Sequence, residues 1–93
     1  MTTPQPSLAA AADRLTALYS APFGGKPSGR YRIASKLVCQ LAGRRRLYED
    51  DVRELARAML EKSYVLIDMD VFFVVMSVNT FANYRRANED CVA

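Results

Sequence analysis

Acids and arginines are the side chains in this sequence with the most potential for chemistry, and histidine is absent. Without histidine the commonest general base is missing, and no serine or cysteine can be paired with an imidazole to make a nucleophile. Asp68 and Asp70 lie two residues apart and could share one face of a strand as ligands for a hard metal ion. No third carboxylate is placed near them, so residues of a hairpin turn are the commoner interpretation. The sequence therefore predicts a protein that is not an enzyme and has no metal or cofactor.

The uneven distribution of charge is the clearest functional signal. Lys26 to Arg46 contains seven basic residues and no acid, whereas Glu49 to Asp70 contains seven acids and three basic residues. The total net charge of +3 is modest for a nucleic-acid binder, so the local clustering is more informative than the sum. The sign reverses within the stretch LAGRRRLYEDD, just before a strongly amphipathic segment.

The basic segment is the best candidate for contacting a polyanion, since its residues bracket the predicted second helix. Two clusters, RYR at 30–32 and YRR at 84–86, pair rings that could stack on bases with guanidinium groups that can hold phosphates. Arginines at a helix end are also favoured by the helix dipole, and the tyrosines could equally be half-buried core rings. The predicted nucleic-acid-binding residues are Arg30, Tyr31, Arg32, Lys36, Arg44, Arg45, Arg46, Tyr84, Arg85 and Arg86.

The acids Glu49, Asp50 and Asp51 have an ordinary structural role open to them. Negative side chains near a helix N-terminus complement the helix dipole and accept hydrogen bonds from its free N–H groups, each contributing about 0.3–1 kcal/mol. Glu49 and Arg53 also have the i, i+4 spacing of a surface ion pair. Because the same carboxylates would repel a phosphate backbone, the three acids are alternatively predicted to form a protein interface.

The hydrophobic pattern predicts the elements that must position these residues. Apolar residues at helical spacing predict a first helix over residues 8–20 and a second over 30–42 that ends at Gly43. A third helix follows the RRR turn, and it has the clearest amphipathic pattern in the chain. The β-branched and aromatic runs YVLIDMD and VFFVVMS predict a hairpin, and a short terminal helix is expected after Ser77.

The predicted core is made by one face of each element. The third helix is expected to pack against the first two, and the hairpin is expected to close the core from the other side. The predicted core residues are Val52, Leu55, Met59, Leu60, Leu15, Leu18, Leu37, Leu41, Val65, Ile67, Phe73 and Val75.

The order helix, helix, turn, helix, hairpin, helix resembles the winged-helix class of helix-turn-helix domains over residues 8–77. The stretch RELARAMLEKSYVLIDMDVFFVVMS carries most of the resemblance, because a third helix leads there directly into a two-stranded wing. The resemblance implies an α+β, mostly helical fold, a small winged-helix-like domain with three helices, a two-stranded β-hairpin and a short C-terminal helix. In such domains the third helix commonly lies in the DNA major groove and its first turn contacts bases. Here that turn begins with three acids, which argues against the usual groove contact.

Length and composition predict a single domain, since 93 residues with 51% hydrophobic side chains can build one core. We expect residues 1–6 to be a flexible N-terminal arm, residues 7–88 to form the domain and residues 89–93 to be a flexible C-terminal tail. Cys39 and Cys91 have the spacing of neither a disulfide framework nor a metal site, and no apolar stretch is long enough to span a membrane. These features predict a cytoplasmic protein.

Two functions fit these predictions. The first is a small non-enzymatic nucleic-acid-binding regulator, for example of transcription, that holds DNA or RNA with the basic patch around the second helix and the following turn. The alternative is a protein-binding module, such as a compact phage or mobile-element inhibitor that docks on a host nucleic-acid-processing complex; a homodimer is a further option. Salt discriminates between them, because it weakens phosphate contacts steeply and apolar interfaces very little. We expect the first.

Overall fold

The computed structural model describes residues 6–93, and there the chain forms an α+β fold in which helices and antiparallel strands share one core. The elements are α1 (Leu8–Tyr19), β1 (Tyr31–Ala34), α2 (Ser35–Ala42), α3 (Glu49–Glu61), β2 (Tyr64–Asp68), β3 (Phe72–Ser77), a 3₁₀ helix (Val78–Phe81) and α4 (Glu89–Val92). Of the arm predicted over residues 1–6, all but Pro6 lies outside the described residues. None of the helices in the described part is both long enough and apolar enough to cross a membrane.

The first and third helices form where the apolar periodicity predicts them. The hydroxyl of Ser7 caps α1 by accepting a hydrogen bond from the N–H of Ala10 at 3.0 Å. Leu15 of α1 and Leu55 and Met59 of α3 are fully buried, and the two helices pack on each other. The amphipathic pattern therefore identified both the elements and the centre of the core.

The second helix starts later than predicted, because the first residues assigned to it form a strand. Tyr31–Ala34 pairs antiparallel with β3, and α2 begins only at Ser35. Tyr31 and Ile33 have the two-residue period of a strand, but four residues are too few to be told from the first turn of a helix. The helix ends as predicted at Gly43, which has a positive φ of 68°. The sheet consequently has three strands in the order β1-β3-β2 instead of the two of a lone hairpin.

The two faces of β2 are reversed relative to the prediction. Val75 of β3 lies opposite Leu66 of β2, so Tyr64 and Leu66 pack on the core. Val65 and Ile67 alternate with them and lie on the opposite face of the sheet, so the prediction that they close the core is wrong. A shift of one residue in a strand exchanges its two faces, and the hairpin sequence has no turn pair that would have fixed the register.

Two further leucines of the predicted core are exposed. Leu37 of α2 is 43% exposed and Leu60 of α3 is 59% exposed. In α2 the buried face passes through Val38 and Ala42, because the strand that precedes the helix sets its rotation differently from a helix that begins at residue 30. The fully or almost fully buried residues are Leu8, Ala11, Ala12, Leu15, Val38, Ala42, Leu55, Met59, Phe73 and Val75.

The segment after β3 contains less helix than predicted. The hydroxyl of Ser77 accepts from the N–H of Asn79 at 3.2 Å, but the turn that it caps is a 3₁₀ helix that ends at Phe81. The following sequence is rich in asparagine and arginine and offers no apolar face to bury, so nothing favours continuing the helix. A single helical turn, α4, forms instead inside the predicted tail.

Candidate nucleic-acid interface

Asp51, the third residue of α3, links the acidic start of that helix to the basic turn that precedes it. Its carboxylate accepts a hydrogen bond from the backbone N–H of Tyr48 at 3.0 Å and forms an ion pair with Arg44 at 2.6 Å. The side chain of Asp51 is only 16% exposed, whereas that of Arg44 is 44% exposed. Asp51 therefore caps α3 and also fixes the first arginine of the RRR turn.

Glu49 and Asp50 have a different environment from Asp51. Their side chains are 88% and 93% exposed, and both face Arg53, at 3.4 Å and 3.6 Å respectively. The ion pair between Glu49 and Arg53 is the one that their spacing predicts. Pairs so open to solvent contribute little to stability, so these two acids mainly place negative charge on the exposed start of α3.

Asp51 caps the helix and Asp50 does not, so the two acids should contribute differently to the free energy of unfolding. Asp51→Ala should lower the free energy of unfolding by about 1 kcal/mol, because it removes the capping hydrogen bond and leaves Arg44 without its partner. Asp50→Ala is the matched control at the neighbouring position, and we expect it to change stability by less than about 0.5 kcal/mol. Urea unfolding followed by circular dichroism measures both. Equal effects would show that a general helix-dipole interaction, and not the specific cap, accounts for the acids.

Arg45 and Arg46 are the two arginines of the turn that form no ion pair with the acids in the described part of the chain. Both are exposed, and among the described residues neither lies within ion-pair distance of a carboxylate. The guanidinium of Arg46 lies 6.0 Å from the centre of the Tyr48 ring. The two side chains border a cleft of about 270 Å³ between α2, the turn and the tip of the hairpin. Asp68 and Asp70 line the same cleft, so it is of mixed charge and not a simple anion pocket.

The basic residues at the other end of α2 are also exposed. Lys36 lies in the first turn of the helix, and Arg30 and Arg32 precede it along the chain. The guanidinium of Arg32 lies 5.8 Å from the centre of the Phe72 ring. Positive charge is therefore displayed at both ends of α2, as the bracketing pattern in the sequence predicts.

The two tyrosines of the predicted site have unlike positions. Tyr31 is half-buried: its ring lies on the core face of β1 and its hydroxyl donates to the backbone carbonyl of Leu15. Burial raises the pKa of the Tyr31 phenol above its usual value. Tyr84 is 62% exposed and makes an edge-on contact with Phe81. Tyr31 thus has the core role that the sequence left open, while Tyr84 remains accessible beside Arg85 and Arg86.

Two residues outside the predicted binding site, Phe23 and Lys26, lie next to this basic surface. Phe23 is 44% exposed in the loop before β1, and Lys26 faces it across a two-residue Gly24-Gly25 turn. A Gly-Gly pair between two residues that bridge is a recognised signature of a tight hairpin turn. This signature is present in the sequence, between the first two predicted helices.

The hairpin acids serve the turn. The side chain of Asp68 accepts from the N–H of Asp70 at 2.8 Å, and the carbonyl of Asp70 accepts from the hydroxyl of Ser35 at 2.8 Å. Within residues 6–93, no three histidine, cysteine or acidic side chains come together as a group able to hold a metal ion.

The chemistry offered by the surface around α2 is hydrogen-bond donation from exposed cationic groups, which suits phosphate oxygens. The basic residues of this surface lie at both ends of one short helix, so a ligand that touches all of them must be extended. No family model, curated protein or solved structure matches this chain.

Proposed function

We propose that this protein is a small non-enzymatic nucleic-acid-binding regulator that holds phosphates with the basic residues around α2. The observation that carries the proposal is that, among the described residues, most of the basic side chains that bracket α2 are separate from those that form ion pairs with the acids of α3. Arg44 and Arg53 take up the acids at the start of α3 through their ion pairs. Five other basic residues that bracket α2 are exposed: Arg30, Arg32, Lys36, Arg45 and Arg46.

We also propose that the domain is of the winged-helix type. Only Lys62 and Ser63 separate α3 from β2, so the β2-β3 hairpin stands immediately beside the third helix, in the place of a wing. This arrangement supports the resemblance that the sequence pattern carries. The hairpin is extended by a third strand, because β1 pairs with β3 along the edge that β2 leaves free.

The exposed face of α3 is an unfavourable surface for deep insertion into a major groove. Besides the acids of its first turn it presents Glu54 and Glu61, against Arg53 and Arg57. Insertion would bring these carboxylates close to backbone phosphates and would be opposed by repulsion. The proposal therefore places the phosphate contacts on α2 and on the arginine turn, and it leaves any sequence preference to the hairpin.

The experiment is a measurement of affinity against salt. Fluorescence anisotropy with a labelled random-sequence duplex and the corresponding single strand, at about 50 and 200 mM salt, should show binding that weakens steeply. Five phosphate contacts on duplex DNA predict a loss of affinity on the order of 10²- to 10³-fold over this range. Absence of binding to both forms, or binding that does not respond to salt, would contradict the proposal.

A protein-binding module is the second candidate function, and one observation favours it. The face of the sheet opposite the core carries Val65, Ile67, Val74 and Met76, and at the hairpin tip Val71 is 72% exposed. Contiguous apolar surface of this kind often marks a protein contact, either with a host complex or with a second copy of the chain. Salt-insensitive association of the purified protein with itself or with a host nucleic-acid-processing complex, together with a failed nucleic-acid measurement, would favour this alternative.

A further inference from the structure

The loop between α1 and β1, residues 20–30, is built to a definite shape. Its ends are joined by a hydrogen bond from the N–H of Gly29 to the carbonyl of Tyr19 at 2.9 Å. At its tip, Phe23 and Lys26 exchange two backbone hydrogen bonds of 3.0 Å. The turn between them is made by two glycines with positive φ, which side chains with a Cβ rarely adopt. This segment, called here the Phe23 loop, thus holds its side chains in place.

Phe23 is supported by the protein on one side and open to solvent on the other. Its ring contacts the ring of Tyr31 edge-on, with the centroids 5.4 Å apart, and Tyr31 is anchored through its hydroxyl to α1. Phe23 nevertheless remains 44% exposed. Beside the ring lies a mainly apolar cleft of about 340 Å³, whose lining includes Leu18, Pro22 and Ile33. A large aromatic side chain is therefore held rigidly at the edge of a cleft that no part of the described chain fills.

The surroundings of Phe23 are cationic. A second cleft of about 290 Å³ adjoins the first and shares Phe23 and Arg32 with it, and Lys26 and Arg30 also line it. Among the residues that the structure describes, no acidic side chain lines either cleft. The guanidinium of Arg32 lies against Phe72, so Lys26 and Arg30 are the cations at the slot. An apolar slot next to these two positive side chains is complementary to a molecule that joins a flat ring to negative charge.

We propose that the Phe23 loop binds an unpaired base of single-stranded nucleic acid, with the base stacked against Phe23 and the flanking phosphates held by Lys26 and Arg30. The proposal rests on the proposed function and deepens it by naming the unpaired strand as the partner. A base in a duplex has both faces covered, so only a single strand or a loop can offer one to this ring. Stacking on aromatic side chains tolerates any base, so the contact adds affinity without sequence preference.

An acidic peptide would satisfy the same cations, but three observations favour a base. The ring of Phe23 is supported by the ring of Tyr31, and the cleft beside it is mainly apolar, which suits the face of a base better than the carboxylates of an acidic peptide. Arg30 and Arg32 also belong to the surface proposed to hold phosphates, so a strand that lies along that surface passes the Phe23 loop.

The first test uses a tryptophan in place of Phe23. The chain contains no tryptophan, so the indole in Phe23→Trp is a unique fluorophore. Single-stranded oligonucleotide should quench its emission through stacking, whereas an oligomer of the same length made of abasic sugar-phosphate units should not. Leu60→Trp, at a position that is 59% exposed on α3, is the control and should show no quenching with either probe.

The second test removes the aromatic face and keeps an apolar side chain. Phe23→Leu should weaken single-strand binding on the order of 10-fold, while duplex affinity changes by less than about 2-fold. The thermal midpoint should barely change, because the side chain is partly exposed.

The outcomes separate this inference from the function on which it rests. Unchanged single-strand affinity in Phe23→Leu, or quenching as strong with the abasic oligomer, would overturn the stacking site while the phosphate contacts around α2 still stand. Failure of the wild-type protein to bind any oligonucleotide would overturn both. A response of the indole to a glutamate-rich peptide, and none to the oligonucleotide, would also overturn the inference and assign the loop to a protein partner.

Discussion

Replacing Leu55 with alanine is expected to lower the free energy of unfolding by about 2–5 kcal/mol, because the cavity left in the core adds to the lost burial of the side chain. Leu55 is fully buried at the centre of α3, where that helix packs against α1. Domains of this size are commonly stable by about 5–15 kcal/mol, so the variant should lose a large fraction of its stability. Urea unfolding followed by circular dichroism at 222 nm measures the difference.

Leu60→Ala is the matched control, since it makes the same change in the same helix. The side chain of Leu60 is 59% exposed, so its truncation should change stability by less than about 0.5 kcal/mol. The apolar spacing in the sequence assigns both leucines to the core, so the pair also tests the orientation of α3 directly. A larger effect at Leu60 than at Leu55 would mean that the helix is rotated about its axis relative to this structure.

The sequence predicted the elements whose pattern is long enough to be unambiguous. In α1 and α3 the apolar residues repeat over three or more turns, and only a helix places them on one face. The strand β1 escaped prediction because it has four residues and pairs with β3, about 40 positions further along the chain. Its formation depends on a partner that no local pattern identifies.

The reversed faces of β2 have a local cause at the hairpin tip. The N–H of Met69 donates to the carbonyl of Phe72 at 2.9 Å, and Asp70 has a positive φ of 73°. An aspartate can adopt the left-handed conformation in a turn, but nothing in the sequence indicates that it does so here. An Asn-Gly or Asp-Gly pair would have indicated the turn and its register. Since Val65, Leu66 and Ile67 are all apolar, either face of β2 would have looked equally suitable for the core from the sequence.

The candidate site was predictable where it depends on charge and not where it depends on burial. The run of basic residues and the ion pair between Glu49 and Arg53 follow from spacing alone. The ion pair between Arg44 and Asp51 crosses the turn between two helices, so it requires their packing. The half-burial of Tyr31 was one of the two roles that the sequence left open, whereas the support that Tyr31 gives to Phe23 depends on β1 and could not be foreseen without that strand.

The largest functional effect is expected from the double variant Arg45→Ala/Arg46→Ala. Both side chains are exposed, and no ion pair or helix cap in the described chain depends on them, so the fold should be retained. Arg44 is left in place because its removal would also disturb the cap at Asp51 and would confuse stability with binding. Loss of two phosphate contacts should weaken duplex binding on the order of 10- to 100-fold at low salt. The slope of log affinity against log salt should become shallower by about 1.8, because each contact contributes about 0.9.

Arg53→Ala/Arg57→Ala removes the same amount of charge from the exposed face of α3 and is the control for that experiment. Arg53 is already paired with Glu49 and Asp50, and Arg57 lies on the acid-bearing face of α3, outside the surface around α2, so affinity should change by less than about 3-fold. If both double variants lose affinity equally, net charge alone governs binding and the surface around α2 has no special role. If neither loses affinity, the phosphate contacts are elsewhere, and the apolar outer face of the sheet becomes the better candidate for the working surface. A selective loss in Arg45→Ala/Arg46→Ala would place the polyanion on the basic side of the charge reversal, where the acids of α3 keep it from the helix itself.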